Sequence, residues 1–246
     1  MSRSEQRRQA REGESESNKI LYVLGAVAVI GIGAFLYTAG SSAFSSAATA
    51  PVELTIASDE ELIELAQGVS LGDPDAPVTI VEFGDYQCPG CGSFAMQVKP
   101  QIDATLVQSG RAEFVFYDFP LVQIHPNAFL AARAARCAGD QGKYWEFHQE
   151  VFRNQSRWSS ATMPTSAFED YAETVGVDGG EFSSCVNSDR HADVVSANME
   201  LGARMGVSGT PTIMINADGQ VRRLNAVDFP SIVGAIDAMT ATPGGN

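Results

Sequence analysis

The sequence predicts an α/β domain carried behind one N-terminal transmembrane helix. Strand-like runs alternate with helix-like segments beyond residue 68, and a single uncharged apolar run precedes them. A Cys-x-x-Cys pair between a strand and a helix points to thiol chemistry in this domain. With 246 residues, the chain is long enough for one sizeable domain with appendages.

The apolar run extends from Ile20 to Ala39 and contains no charged residue. A helix of this length spans about 30 Å, the thickness of a bilayer core. Five Lys or Arg residues precede the run, and the next basic residue is Lys99. Because basic residues favour the cytoplasmic side, we expect residues 1–19 to be a disordered cytoplasmic tail and residues 20–39 a retained anchor. A cleaved secretory signal is the alternative, and it would deliver the domain to the same extracytoplasmic side.

The charge of the chain lies almost entirely in the part beyond residue 40. Residues 1–40 are nearly neutral, whereas the remainder carries 11 basic against 26 acidic residues. An acidic surface repels phosphate backbones, so nucleic acid is not an expected partner.

The first half of the domain is predicted to be a strand, a helix and a second strand. A flexible linker and a lead-in helix with an acidic first turn precede them over residues 40–68. Runs rich in β-branched and aromatic residues predict the strands. Apolar residues at spacings near four predict the helix, which Pro100 is expected to kink. The predicted ranges are 77–83, 93–107 and 112–119.

The second half is predicted to be a helical block over about residues 126–205, then a hairpin and a last helix. Asp218-Gly219 lies between two strand-like runs, and Asp-Gly favours the tight turns that close antiparallel hairpins. The predicted helices are 127–138, 142–152, 165–175, 188–205 and 229–239, and the hairpin strands are 211–215 and 220–224. We assign the whole domain to residues 69–240 and expect residues 241–246 to be disordered.

The chemistry of the domain is predicted to centre on Cys88-Pro89-Gly90-Cys91. This spacing places both sulfurs on the first turn of a helix, where a disulfide can close. The positive end of the helix dipole stabilises a thiolate, so Cys88 is the predicted nucleophile and Cys91 the resolving thiol. Pro89 fits an early helical position, because its missing N–H would be unpaired there. Half of a zinc site and an inert disulfide are the alternatives; since the sequence has no second Cys-x-x-Cys, we expect no metal.

The remaining cysteines are Cys137 and Cys185, in the first and last parts of the helical block. Pairing Cys88 with Cys91 leaves these two as partners in a structural disulfide, with free thiols as the alternative. Structural disulfides persist in oxidising surroundings, which favours an extracytoplasmic compartment.

Three parts of the sequence together resemble the DsbA-like branch of the thioredoxin superfamily. They are residues 69–97 around the motif, the stretches HPNAFLAARAARCA and KYWEFHQEVF, and the SGTPT loop over residues 208–212. The resemblance covers most of residues 69–240 and implies a thioredoxin fold with a helical insertion.

The resemblance also implies roles for individual residues. Pro211 is expected to be cis and to lie beside the sulfurs, and the backbone of Thr210 to pair with an extended substrate strand. Pro89 and Gly90 are assigned to the same substrate-binding surface. For Thr-Pro alone, a simple turn before a strand is the alternative.

Glu82 stands six residues before Cys88, where the family carries a buried acid. The resemblance implies that Glu82 accepts or relays the proton of Cys91, and burial would raise its pKa towards neutrality. Simple strand alternation would instead place Glu82 on the solvent face. His125 stands alone in a connecting loop and is predicted to be a cap or surface residue rather than a general base.

These features predict an extracytoplasmic protein disulfide oxidase. The resemblance implies unfolded or partly folded cysteine-containing envelope proteins as substrates, and a DsbB-like or VKOR-like membrane protein as reoxidase. We expect no cofactor beyond the redox-active Cys88–Cys91 disulfide, and a monomer. A reductase or isomerase using the same sulfurs, a non-catalytic binding module and a metal carrier stay open.

Overall fold

The computed structural model describes residues 47–241. The predicted tail over residues 1–19, the predicted anchor over residues 20–39 and residues 242–246 lie outside this range. Among the described residues, no helix is both long enough and apolar enough to cross a membrane.

A mixed sheet with the strand order β1-β3-β2-β4-β5 forms the centre of the domain. Its strands are β1 Val69–Leu71, β2 Val78–Gly84, β3 Glu113–Asp118, β4 Thr212–Ala217 and β5 Gln220–Arg223. Strands β2 and β3 are parallel, and the other neighbouring pairs are antiparallel. A parallel pair needs a crossover, and the predicted helix after the cysteine motif supplies it.

The crossover helix, α2, begins at Pro89–Ser93 and runs through a π-helical turn at Phe94–Val98, an α-helical turn at Lys99–Ile102 and a second π-helical turn at Asp103–Val107. The expected interruption at Pro100 takes the form of the first π-helical turn. Pro100 has no N–H to donate, and the N–H of Lys99 reaches back five residues to the carbonyl of Phe94.

The other helices of the described residues precede β1 or follow β3 in the chain. They are α1 Asp59–Leu65, α3 Ala128–Gly139, α4 Tyr144–Arg153, α5 Gln155–Trp158, α6 Thr165–Thr174, α7 Gly179–Val186, α8 Ala192–Arg204 and α9 Phe229–Thr240. Helices α3 to α8 form the predicted block between β3 and β4. The sequence did not predict β1, α5 or α7. Helix α8 begins four residues later than predicted, after His191 in a left-handed conformation with φ of 65°.

The disulfide between Cys137 and Cys185 confirms the predicted pairing and joins α3 to α7. Arg133, one turn before Cys137, is fully buried. Its guanidinium donates to the carbonyls of Val186, Ser188 and Arg190, which follow or end α7. The end of α7 is therefore fixed to α3 covalently, and the loop that follows it by hydrogen bonds.

Residues 47–57 were assigned to the linker, and in the structure they form extended chain held against the helical block. The N–H of Ala48 donates to Asp189 at 2.8 Å, and the carbonyl of Ala48 accepts from Arg133 at 2.7 Å. The N–H of Val52 donates to Ser196 at 3.0 Å. Apolar side chains that follow, Leu54 and Ile56, pack beside α1 and α8.

Candidate active site

The cysteine motif lies where β2 leads into α2. Cys88 is the N-cap residue of the helix and Pro89 occupies its first turn, as predicted. Cys88 is half-buried, whereas Cys91 is fully buried beneath it. The two residues are thiols in this structure, so the arrangement is that of the reduced site.

The Thr210-Pro211 loop lies directly against the motif. The peptide bond between these residues is cis, as the resemblance implies. The sulfur of Cys88 is 3.4 Å from the carbonyl oxygen of Thr210. A Cβ on Gly90 would lie 3.3 Å from the Pro211 ring, so the absence of a side chain there permits the close approach. The structure thus brings together two signatures that lie more than a hundred residues apart in sequence.

The two sulfurs differ strongly in acidity. The pKa of Cys88 is lowered to about 5, chiefly by a hydrogen bond from Cys91 and in smaller part by the backbone N–H groups of Cys91 and Gly90, while partial burial acts in the opposite direction. Burial raises the pKa of Cys91 well above its usual value, and the hydrogen bond with Cys88 and the charge of Glu82 act in the same direction. Near neutral pH the proton therefore resides on the inner sulfur and the negative charge on the outer one.

Glu82 is fully buried on the same face of β2 as Val78 and Ile80. The alternative that placed Glu82 on the solvent face is therefore wrong. Neither carboxylate oxygen has a hydrogen-bond partner among residues 47–241. Burial raises the pKa of Glu82 to about 8; the positive charge of Lys99 opposes this rise, and the charge of Cys88 adds to it. An acid in this state can exchange a proton at neutral pH.

Asp85 is a site residue that the sequence analysis missed. Its side chain is buried and accepts from the N–H groups of Gln87 at 2.7 Å and Leu121 at 2.8 Å. His125, predicted to be a cap or surface residue, has its Nδ1 2.7 Å from Asp85 Oδ2, and only 16% of its side chain is exposed. The hydrogen bond from the N–H of Gln87 to the Asp85 side chain forms an Asx-turn. The preference of Asp for such turns was the available signal in the sequence.

Within residues 47–241, one group of possible metal-ligand residues lies outside the motif. Ligand atoms of Cys137, Cys185 and His191 lie within 4.8 Å of one another. The two sulfurs are bonded to each other, so the group lacks the thiolates that a metal would require.

Comparisons with known proteins identify the family. A family model described as Thioredoxin matches residues 64–237. The probable disulfide bond formation protein D of Bacillus cereus is 28% identical over 181 residues, which are 72% of this chain and 81% of that protein. The Na(+)/H(+) antiporter NhaA 1 of Salinispora arenicola is 34% identical over 145 residues, which are 59% of this chain and 21% of that protein. The chain thus spans about a fifth of the length of this antiporter.

Solved structures show the same relationship. The crystal structure of BdbD from Bacillus subtilis aligns with a TM-score of 0.62 and 26% identity, covering 69% of this chain and 91% of that one. DsbA of Chlamydia trachomatis aligns with a TM-score of 0.63 over 78% of this chain and all of that one; at 21% identity it supports the fold alone. The α/β fold with its helical insertion is that of thioredoxin-like oxidoreductases. This chain belongs to the thioredoxin family, and its sequence and fold place it with the DsbA-like thiol:disulfide oxidoreductases.

Proposed function

We propose that the chain is an extracytoplasmic protein disulfide oxidase that works through Cys88 and Cys91. The observation that carries the proposal is the asymmetry of the two sulfurs. Cys88 is accessible at the start of a helix with a pKa of about 5, and Cys91 is buried with a raised pKa. A stabilised Cys88 thiolate favours the reduced enzyme, and a disulfide whose reduced form is stabilised oxidises other thiols.

The proposed reaction conserves atoms and electrons. A substrate thiolate attacks Cys88 of the oxidised enzyme, the Cys88–Cys91 bond breaks, and Cys91 leaves as a thiolate. Glu82, protonated at neutral pH because its pKa is about 8, supplies the proton that Cys91 takes up. A second substrate thiolate then attacks the substrate sulfur of the mixed disulfide, and Cys88 leaves as a thiolate. The substrate loses two electrons, which the enzyme retains as its reduced pair.

The cis-proline loop is the proposed substrate-binding surface. The carbonyl of Thr210 lies within 3.4 Å of the Cys88 sulfur, so a strand paired with Thr210 would bring its own cysteine to the attacking position. Pro211, Pro89 and Gly90 are proposed to belong to the same surface, since a Cβ on Gly90 would lie 3.6 Å from the Cys88 sulfur and 3.3 Å from the Pro211 ring. The proposed substrates are unfolded or partly folded cysteine-containing proteins, because an extended segment is needed for this pairing.

The cellular setting is part of the proposal. Residues 20–39 are proposed to anchor the chain with its N-terminus in the cytoplasm and its domain outside, as a monomer. The buried Cys137–Cys185 disulfide supports an oxidising compartment. A DsbB-like or VKOR-like membrane protein is the proposed reoxidase. Na(+)/H(+) antiport is not part of the proposed function, because the match covers about a fifth of the length of the Salinispora arenicola antiporter.

The reduction potential of the full-length protein tests the direction of the reaction. The purified chain is equilibrated with glutathione buffers, and the redox state of Cys88 and Cys91 is measured by thiol alkylation. We expect a potential between about −120 and −180 mV, the range of strong disulfide donors. A value near about −270 mV would identify a reductase. A variant with Cys137→Ala and Cys185→Ala should give the parent value, and Cys88→Ser should remove the transition.

A further inference from the structure

The carboxylate of Asp85 contacts the cysteine motif on one side. Its Oδ1 accepts from the N–H of Gln87 at 2.7 Å and from the N–H of Cys88 at 3.2 Å. The N–H of Asp85 itself points at Cys91, whose sulfur lies 3.4 Å away. One residue therefore contacts the backbone of the outer cysteine and the sulfur of the inner one.

The other oxygen of the same carboxylate contacts the segment that follows β3. Oδ2 accepts from the N–H of Leu121 at 2.8 Å and from Nδ1 of His125 at 2.7 Å. The Asp85 side chain is fully buried and that of His125 mostly so. Leu121 and His125 stand 36 and 40 residues beyond Asp85, so the contact joins two separate parts of the chain.

This arrangement matters for the sulfur chemistry because the Asp85 carboxylate is bonded to the backbone N–H of the residue that carries the reacting sulfur. A negative charge nearby disfavours a thiolate at Cys88, unless donors to the carboxylate compensate that charge. Among the residues that the structure describes, His125 is the side-chain donor to Asp85, and the other donors are backbone N–H groups. Loss of His125 would leave the buried carboxylate short of a donor and release the orientation in which its other oxygen accepts from the Cys88 N–H.

We propose that Asp85 and His125 are positioning residues of the exchange reaction: His125 compensates and orients the Asp85 carboxylate, and Asp85 fixes the backbone of Cys88 so that its thiolate is stable. The inference rests on the proposed role of Cys88 as the attacking sulfur. A purely structural tie between two loops would affect the stability of the fold but not the acidity of Cys88.

The chain offers a matched control for this distinction. His191 also bonds a carboxylate, since its Nε2 is 3.0 Å from Asp140 Oδ2, and its side chain is 20% exposed against 16% for His125. This second pair lies at the Cys137–Cys185 disulfide, away from the motif. His191→Leu therefore removes a similar contact without touching the Cys88 loop.

The experiment uses the reduced full-length protein and follows the Cys88 thiolate by its ultraviolet absorbance as the pH is raised. We expect His125→Leu to raise the pKa of Cys88 by about one unit, the lower end of the effect of a nearby charge. We expect the glutathione equilibrium to move about tenfold towards the enzyme disulfide, or about 30 mV. His125→Asn, whose amide N–H replaces Nδ1, should restore the parent values, and His191→Leu should not alter them.

The outcomes separate this inference from the proposed function. The inference would be overturned if the parent shows a low pKa for Cys88 and His125→Leu leaves this pKa unchanged. It would also be overturned if His191→Leu shifts the pKa as much as His125→Leu does. In both cases the proposed function would still hold. The absence of a low-pKa thiol in the parent would overturn the proposed role of Cys88. If His125→Leu does not fold, His125→Gln replaces it. The glutamine amide matches the position of Nε2 rather than Nδ1, so we expect the same rise in the pKa of Cys88. A parent-like pKa in this variant would refute the inference.

Discussion

Replacement of the buried acid Glu82 by glutamine should change how stability depends on pH. The pKa of Glu82 is about 8 in the folded protein, against 4.5 for a free side chain. Between these values the folded state holds a proton that the unfolded state has released. Raising the pH therefore favours unfolding, and the stability of the parent protein should fall across this window.

The expected magnitude follows from the shift of about 3.5 pKa units. Each unit corresponds to about 1.4 kcal/mol, so the ionisable acid lowers the free energy of unfolding by about 3 kcal/mol at pH 7 and by about 5 kcal/mol above pH 8. At pH 4 the acid is protonated in both states and the effect vanishes. Glu82→Gln should therefore gain stability relative to the parent progressively as the pH rises from 4 to 9.

Urea unfolding of the reduced full-length protein at a series of pH values measures this difference directly. Subtracting the parent curve from the variant curve cancels the contributions of groups that titrate equally in both proteins. Glu113→Gln, a change at a less buried glutamate of the neighbouring strand β3, serves as the control and should follow the parent. If the curves of Glu82→Gln and the parent run parallel from pH 4 to pH 9, the account of Glu82 as a buried neutral acid is refuted.

Two further changes test other parts of the fold. Replacing Cys137 and Cys185 by alanine releases two residues 48 positions apart, and it should lower the free energy of unfolding by about 4 kcal/mol in the chain-entropy model; an unchanged urea midpoint would contradict a stabilising bridge. Arg136→Met leaves the buried carboxylate of Asp118 without the guanidinium that lies 2.6 Å from it. This change should lower the free energy of unfolding, measured with urea, by about 3–5 kcal/mol. Adding Asp118→Asn should recover part of that loss, and equal stability of the single and double variants would refute the pairing.

The features predicted correctly have determinants close together in the sequence. The hairpin closes at Asp218 and Gly219, whose φ values of 51° and 75° are those that Asp-Gly turns favour. The helix after the motif starts at Pro89 because a proline in the first turn loses no hydrogen bond. Local residue preferences were sufficient in both places.

The elements that were missed depend on distant partners or weak local preferences. Strand β1 is only three residues long and exists through its pairing with β3. Helix α7 opens with Gly179-Gly180, which are poor helix formers. Its usable signal was Asp178, whose side chain caps the helix by accepting from the N–H of Glu181.

The burial of the acids near the motif could not be decided from the sequence either. Glu82 lies on a strand covered on both faces, so alternation alone did not decide which face meets water. Asp85 is buried because Leu121 and His125 cover it from another part of the chain. Both environments arise from tertiary packing rather than from neighbouring residues.

The attachment of residues 47–57 to the helical block has a consequence for the order of folding. Their polar partners are Arg133, Asp189 and Ser196, which are between 85 and 144 positions further along the chain. Contacts of such long sequence separation close large loops and form late. During synthesis, this segment is made before every residue it binds. We therefore expect this early-synthesised segment to attach only after α3 and α8 have packed.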